Sequence, residues 1–456
     1  MKVALIQPNT KTIQGTTIPP FGLMYIGSIA KEMGHKIKIF DRNLDFFTFT
    51  KLKKFNPDLV GISGFTGPCL MDVINIAKQV KKMFGQSFPV LMGGVHATVL
   101  PEQTLENPCI DYVIMGEGEY TFLEFLKTLE QGGDMTKVKG VGFKKKGVIT
   151  INERRPLIEN LDKLPLLNWN FVNYKKYFRF DVTLITSRGC PYRCGFCYNM
   201  KFNEGRWRGM SAKRVIQEIK AIEKLTNNKN LGFHDDNFTA DRKRMVKILD
   251  YLSPDYNLFI ETRVNYIDKD FLSYFKKFKS VWFFLGVESG SQRILNKLNK
   301  GIAVKQIENA FDLINKYKFK ATASVIVGSP TETKEEVQET MRLLERIKPT
   351  RYTLNLYTPY PGSLLYDEIV KGGLLKQPKS MEEWSKYALG IDSSKKSISS
   401  FDASYLKKLD RDSWIKTIMA IIKTGDLHKI KMRIINYEPF VIPLLDLLDK
   451  LISRAV

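Results

Sequence analysis

Short apolar runs alternate with longer stretches of helical spacing along most of this chain, and that alternation restricts its fold more than any other feature. Val3–Ile6, Ile37–Phe40, Leu59–Ile62, Val90–Met92 and Val113–Met115 read as strands. Leu23–Met33, Met71–Phe84 and a segment near Phe122–Leu129 carry the helical period. Strands separated by helices cannot close as hairpins, so the expectation for residues 1–150 is an α/β domain with a doubly wound parallel sheet of Rossmann-like type. Such sheets take ligands at the carboxyl ends of their strands. The loops expected there are Ser63-Gly64-Phe65-Thr66-Gly67, Gly93-Gly94-Val95-His96-Ala97-Thr98 and Gly116-Glu117-Gly118-Glu119. Paired glycines allow close approach of a ligand, but by spacing alone tight strand-to-helix turns explain them equally well.

A second series begins at the apolar run Val182–Ile185, directly followed by Cys190-Pro191-Tyr192-Arg193-Cys194-Gly195-Phe196-Cys197. The chain has only five Cys in 456 residues, too few for a disulfide scaffold, so a reducing, cytoplasmic setting is expected. The N-terminus reads as a first strand and not as a signal peptide. No apolar run approaches the ~20 residues of a membrane span. A composition of 43% hydrophobic and 26% charged residues excludes disordered and low-complexity classes. Three Cys within eight residues point to one metal centre, and soft thiolates select zinc or iron–sulfur. Structural zinc wants a fourth ligand, which the neighbourhood lacks. A three-Cys loop suits a [4Fe–4S] cluster with one iron open to a ligand. Cys69 and Cys109 read as small apolar residues of the first domain.

The spacing Cys-x-x-x-Cys-x-x-Cys, with an aromatic before the last Cys, resembles the radical S-adenosylmethionine (radical SAM) enzymes. The resemblance implies that Cys190, Cys194 and Cys197 hold a [4Fe–4S] cluster. It further implies that S-adenosylmethionine binds the open iron and is reductively cleaved to a radical that abstracts hydrogen from an unreactive carbon. Later motifs follow in the family's order. Leu231-Gly232-Phe233-His234-Asp235-Asp236 fits its second strand, and Glu261-Thr262-Arg263 its third. Gly286-Val287-Glu288-Ser289 fits the fourth, Val325-Ile326-Val327-Gly328 the fifth, and Tyr357-Thr358-Pro359 closes a sixth. Phe196, Arg263, Glu288, Ser289 and Gly328 are thereby implied to contact S-adenosylmethionine. Strands near Leu184, Gly232, Ile260, Phe283, Val325 and Leu354 give a partial (β/α)6 barrel over residues 181–375. A lone His at a strand end, such as His234, reads more readily as structural than as an acid–base group.

The first domain resembles the cobalamin-binding domain that precedes many radical SAM enzymes, on the strength of Gly93–Thr98, Asp111-Tyr112-Val113 and Gly116–Glu119. That resemblance implies cobalamin contacts at Ser63, Thr66, Gly94, His96, Thr98 and Glu117. The segment Asp41-Arg42-Asn43-Leu44-Asp45-Phe46 is matched to the motif that carries the lower cobalt ligand in many cobalamin domains, and it has Asn43 where the His would stand. Radical SAM relatives often lack that His. The function implied is cobalamin-dependent methyl transfer to carbon. Radical cyclisation, rearrangement or carbon–carbon coupling on a lipid or other anionic hydrophobic substrate stays open, with RNA modification a weaker alternative.

Charge bears on the partners. The chain has 71 basic and 48 acidic residues, a net of +23, and residues 171–230 alone hold 13 basic against four acidic, a net of +9. Such a segment suits an anionic substrate or an acidic electron donor such as reduced ferredoxin or flavodoxin. Nucleic acid fits less well, because no RNA-binding module is recognisable after the barrel. Residues 151–180 read as a linker and 376–456 as a mainly helical C-terminal region. Its stretch Ile442–Ile452 has an apolar stripe that packs on the barrel or touches a membrane peripherally. Asp446 and Asp449 argue against an anionic-membrane anchor.

Overall fold

The computed structural model describes residues 1–10, 18–45, 47–178, 181–386, 398–402, 404–405 and 408–409. The first sheet has seven strands: β1 (Lys2–Gln7), β2 (Lys36–Asp41), β3 (Leu59–Ser63), β4 (Val90–Gly93), β5 (Tyr112–Ile114), β6 (Val141–Lys145) and β7 (Val148–Ile151). They lie in the order β2-β1-β3-β4-β5-β6-β7. β1–β5 are parallel and joined through helices α1 (Phe21–Glu32), α2 (Thr48–Phe55), α3 (Cys69–Phe84), α4 (Val95–Val99) and α5 (Pro101–Glu106), with α6 (Glu119–Glu130) after β5. Val3–Ile6 of β1 are fully buried, as the continuous apolar run of a strand covered on both faces requires. The order reverses between β1 and β3, so the binding crevice falls at the ends of β1, β3 and β4. One departure from the expected parallel sheet is the antiparallel hairpin β6–β7, which extends its edge. Lys144, Lys145 and Lys146 mask that hairpin in the sequence, because an exposed edge tolerates charge where a central strand does not.

The second sheet is entirely parallel and runs in sequence order: β8 (Val182–Leu184), then β11 (Asn230–Phe233), β12 (Asn257–Arg263), β13 (Ser280–Glu288), β14 (Lys320–Val327) and β15 (Arg351–Leu356). Between β8 and β11, a two-residue antiparallel pair, β9 (Ser187–Arg188) with β10 (Arg208–Gly209), brackets the Cys loop. Every strand expected from the sequence lies in this sheet, and six βα units curl into an open partial barrel. Burial alternates along β13. Val281, Phe283 and Leu285 are buried beneath the outer helices, while Trp282 and Phe284 on the inner face are half-exposed. Eight-stranded barrels fill that interior with side chains; this one leaves room.

The two sheets share a core. Trp169, in the connecting segment, packs edge-on against Phe21 of α1 and close to Phe178. Beyond the barrel, the short helix Met381–Ser385 returns to the first domain and covers α3, with Trp384 fully buried against Tyr366 and His96. The stretch Ile442–Ile452 lies outside the described residues. Among the described residues no helix is long and apolar enough to cross a membrane.

Candidate cofactor sites at the domain junction

The Cys loop is fixed by its backbone and by the barrel mouth. Gly195 N donates to Leu298 O and its carbonyl accepts from Leu365 N, both at 2.8 Å. Asn199 Nδ2 donates to Cys190 O at 2.8 Å. At the end of β12, Arg263 places Nη1 3.3 Å from Cys194 Sγ and stacks 3.7 Å above the Tyr192 ring. Asn237 Nδ2 reaches Cys190 Sγ at 3.7 Å. Burial pushes the Cys197 thiol up to about 12 and raises Cys190 as well, an opposition to thiolate formation that the positive charge of a bound cluster would offset. Among the described residues no group of three His, Cys, Asp or Glu side chains is arranged to hold a single metal ion; a cluster takes each thiolate on a separate iron.

Around this loop the structure places the residues implied for S-adenosylmethionine at the carboxyl ends of β12, β13 and β14. Glu288 stands at φ +63, where a register shift between Gly286 and Glu288 breaks the β13–β14 pairing. A non-glycine residue in that region is strained, and such strain is typical of ligand sites. Its carboxylate pairs with Lys300 Nζ at 2.6 Å, both side chains buried, and the same ammonium lies 6.0 Å from the Phe196 ring centroid. Ser289 turns the other way: its hydroxyl meets Thr340 Oγ1 at 3.2 Å and accepts from Ser291 N. Gly328 stands at φ +81, and its N–H donates to Glu332 Oε2 at 2.6 Å. Lys300 was not visible as a site residue in the sequence, since only the fold brings its helix end to Phe196.

A cavity of about 1240 Å³, counting its open mouth, runs between the two domains. One end is an apolar slot in the first sheet lined by Leu5, Leu91, Ile114 and Phe21; the other reaches Gly189, Tyr198 and His234 beside the Cys loop. Ser63, Gly94 and Glu117 line it. Thr66, His96 and Thr98 stand behind that wall. Thr98 Oγ1 donates to Gly94 O and accepts from Gly116 N, tying the two glycine loops together. His96 is fully buried, hydrogen-bonded to Thr66 at 3.0 Å, and burial lowers its pKa to about 3, keeping the ring neutral. Asn43 is held by Asp41, Thr10 and the Pro8 carbonyl, and Asp41 also accepts from Tyr177 Oη across the junction. Neither Asn43 nor Asp41 lines the cavity.

Two observations match this space to a large ligand with an apolar ring. A β-carbon at Gly61 would come 2.9 Å from Leu5 Cδ2 and one at Gly94 2.5 Å from Gly64 O, so glycine keeps the slot and its lip open. The Tyr25 hydroxyl is buried in the cavity wall with no hydrogen-bond partner, which a polar ligand group would supply. At the waist, Arg188 of β9 bridges Glu117 and Glu119 from the first domain, and Arg208 of β10 also reaches Glu117 at 2.8 Å. Glu117 is held below the usual carboxylate range by these guanidinium groups against the opposing effect of burial. Arg188, Arg208 and Arg214 thus bind internal carboxylates, so part of the +9 segment is not available to partners.

An open six-stranded barrel with a three-Cys loop, coupled to a doubly wound domain across one cavity, defines a two-cofactor radical enzyme. Family models agree, matching the radical SAM superfamily over residues 184–344 and the B12-binding domain over residues 12–126. An uncharacterised methyltransferase of Pyrococcus horikoshii is 34% identical over 91% of this chain and 92% of its own length. The anaerobic magnesium-protoporphyrin IX monomethyl ester cyclase of Cereibacter sphaeroides is 28% identical over 85% of this chain and 66% of its own. Among solved structures, the methyltransferase TsrM of Kitasatospora setae, with cobalamin and a [4Fe–4S] cluster bound, superposes with a TM-score of 0.70. It is 17% identical and the match covers 83% of this chain and 76% of that one. The chain belongs to the cobalamin-dependent radical SAM family. Its cofactors are therefore a [4Fe–4S] cluster, S-adenosylmethionine and cobalamin, and it requires an electron donor and a small-molecule substrate.

Proposed function

We propose that this enzyme transfers a methyl group to an unreactive carbon of a small molecule, using both cofactors within the one cavity. The observation that carries the reading is the continuity of that cavity from the glycine loops of the first sheet to the mouth of the barrel. Cys190, Cys194 and Cys197 would hold the cluster, and Ser63, Gly94 and Glu117 would border cobalamin. Arg263 and the Glu288–Lys300 pair offer the opposite charges that the carboxylate and amino groups of S-adenosylmethionine require. When bound, the cluster supplies the electron for reductive cleavage and cobalamin the methyl-carrying cobalt. The protein's share is orientation and exclusion of water: Tyr198 and Phe202 line the cavity between the two sites. Arg193, Lys201 and Arg206 remain exposed beside the Cys loop, a surface suited to an acidic donor such as ferredoxin or flavodoxin.

The test is anaerobic reconstitution with iron, sulfide and cobalamin, followed by reduction in the presence of S-adenosylmethionine carrying a deuterated methyl group. Corrin absorption bands and transfer of the label to an acceptor carbon are expected. A protein that cleaves S-adenosylmethionine but retains no corrin would instead support the non-methylating cyclisation named for the Cereibacter relative.

A further inference from the structure

The inner wall of the barrel, at the cluster end of the cavity, carries a polar pair to which no cofactor contact has been assigned. His234 follows β11, Glu261 lies on β12, and Glu261 Oε1 stands 2.8 Å from His234 Nδ1. Arg263, two residues beyond Glu261 on the same face, touches Cys194. At ~3.3 Å per residue, the pair therefore lies about 7 Å along the strand below the layer that meets the cluster loop. The His234 ring lies nearly flat on Phe259, with centroids 5.0 Å apart at 22°, and Phe259 leans on Phe284 at 6.2 Å. Glu261 is directly opposite Phe284 in the β12–β13 register.

A His–Glu pair that serves only packing would be closed over. Here the side chains are 24% and 34% exposed although they face the concave interior, and His234 lines the cavity itself. A carboxylate beside Nδ1 places the ring proton there, which leaves Nε2 presenting a lone pair. Nε2 has no hydrogen-bond partner among the described residues. Beneath it is Gly232, where a β-carbon would approach Nε2 to 3.0 Å, so the missing side chain makes room for that edge of the ring. Phe259 and Phe284 beside it are half-exposed, and such rings favour a planar aromatic neighbour in stacked or tilted contact.

We infer that His234 is the hydrogen-bond acceptor for the substrate and Glu261 its positioning residue. The substrate is then an aromatic compound whose ring lies on the Phe259–Phe284 wall and whose N–H or O–H points to Nε2. This inference rests on the methyl-transfer reading only in calling the bound compound a substrate. Dialysis of the cofactor-loaded enzyme against two isomers of equal size tests it: 3-methylindole, which keeps its N–H, and 1-methylindole, which lacks it. The wild type should bind 3-methylindole about three- to tenfold more tightly, the range of one hydrogen bond. That preference should vanish in His234→Phe and shrink in Glu261→Gln, which loosens the ring without removing it. Equal affinities in the wild type, or a preference that survives His234→Phe, would overturn the inference. Should the Phe variant not fold, the ¹⁵N signal of His234 in the wild type, one of only four His, decides. It should move with 3-methylindole and not with 1-methylindole; no movement with either is disproof. Absence of 5′-deoxyadenosine from reduced wild-type enzyme would sink the radical reading while leaving the indole comparison intact.

Discussion

Gly94 stands at φ +96, and a β-carbon on it would fall 2.5 Å from Gly64 O. Both the dihedral and the 2.5 Å approach exclude a side chain, so Gly94→Ala should destabilise the fold by about 3 kcal/mol and abolish corrin retention. Thermal denaturation and the visible spectrum read the two effects separately. Glu332 presents a pH-dependent case. It is fully buried, accepts from Gly328 and Ser329 N–H, and burial raises its pKa to about 7. The unfolded carboxyl, near 4.5, loses its proton first. Between roughly pH 4.5 and 7 the folded state thus binds more protons, and stability falls as pH rises through that window. Glu332→Gln keeps an acceptor without the charge. Relative to wild type it should gain up to about 3 kcal/mol from pH 5 to pH 8 in urea titrations; a constant difference would count against the buried proton. The glycines and Cys of these sites were legible because backbone approach and soft-metal ligation permit few alternatives. Lys300, Tyr25 and the Glu261 partner of His234 were not, because their roles exist only once distant strands align.

Strands were the most legible elements. A buried parallel strand reads as an apolar run whatever its partners, which is why Leu184, Gly232, Ile260, Phe283, Val325 and Leu354 all fall in the second sheet. The hairpin β6–β7 and the short α4 and α5 are not legible in the sequence, the first because of its lysines and α4 because it lies within the loop Gly93–Thr98. The ion cluster at β9 and β10 was equally hidden, since Arg188 and Glu117 are far apart in sequence. Both Arg208 and Glu117 are almost completely buried, at 4% and 5% side-chain exposure. Removing one partner strands a charge, so Glu117→Gln should cost about 3 kcal/mol. In a double-mutant cycle with Arg188→Met the two effects should fail to add by at least ~1 kcal/mol; simple additivity would show the bridge to be idle.

Over the whole molecule, the cavity joins domains that each supply one of its walls. A ligand that fills it binds only the assembled chain, so cobalamin at a hundredfold excess over its dissociation constant should stabilise the protein by about 2.7 kcal/mol. A melting temperature that rises with cobalamin concentration is the expected sign, and an unchanged one would place the corrin elsewhere.

The return of Met381–Ser385 onto α3 has a consequence for biosynthesis. The first sheet is complete at Ile151, whereas Trp384, which seals α3, is made 384 − 151 = 233 residues later. At ribosomal speeds of ~5–20 residues per second, the α3 surface waits about 10–50 s for its cover. During that interval the nascent chain carries an uncovered apolar face, and a chaperone that shields it would act on the first domain well before either cofactor site can close.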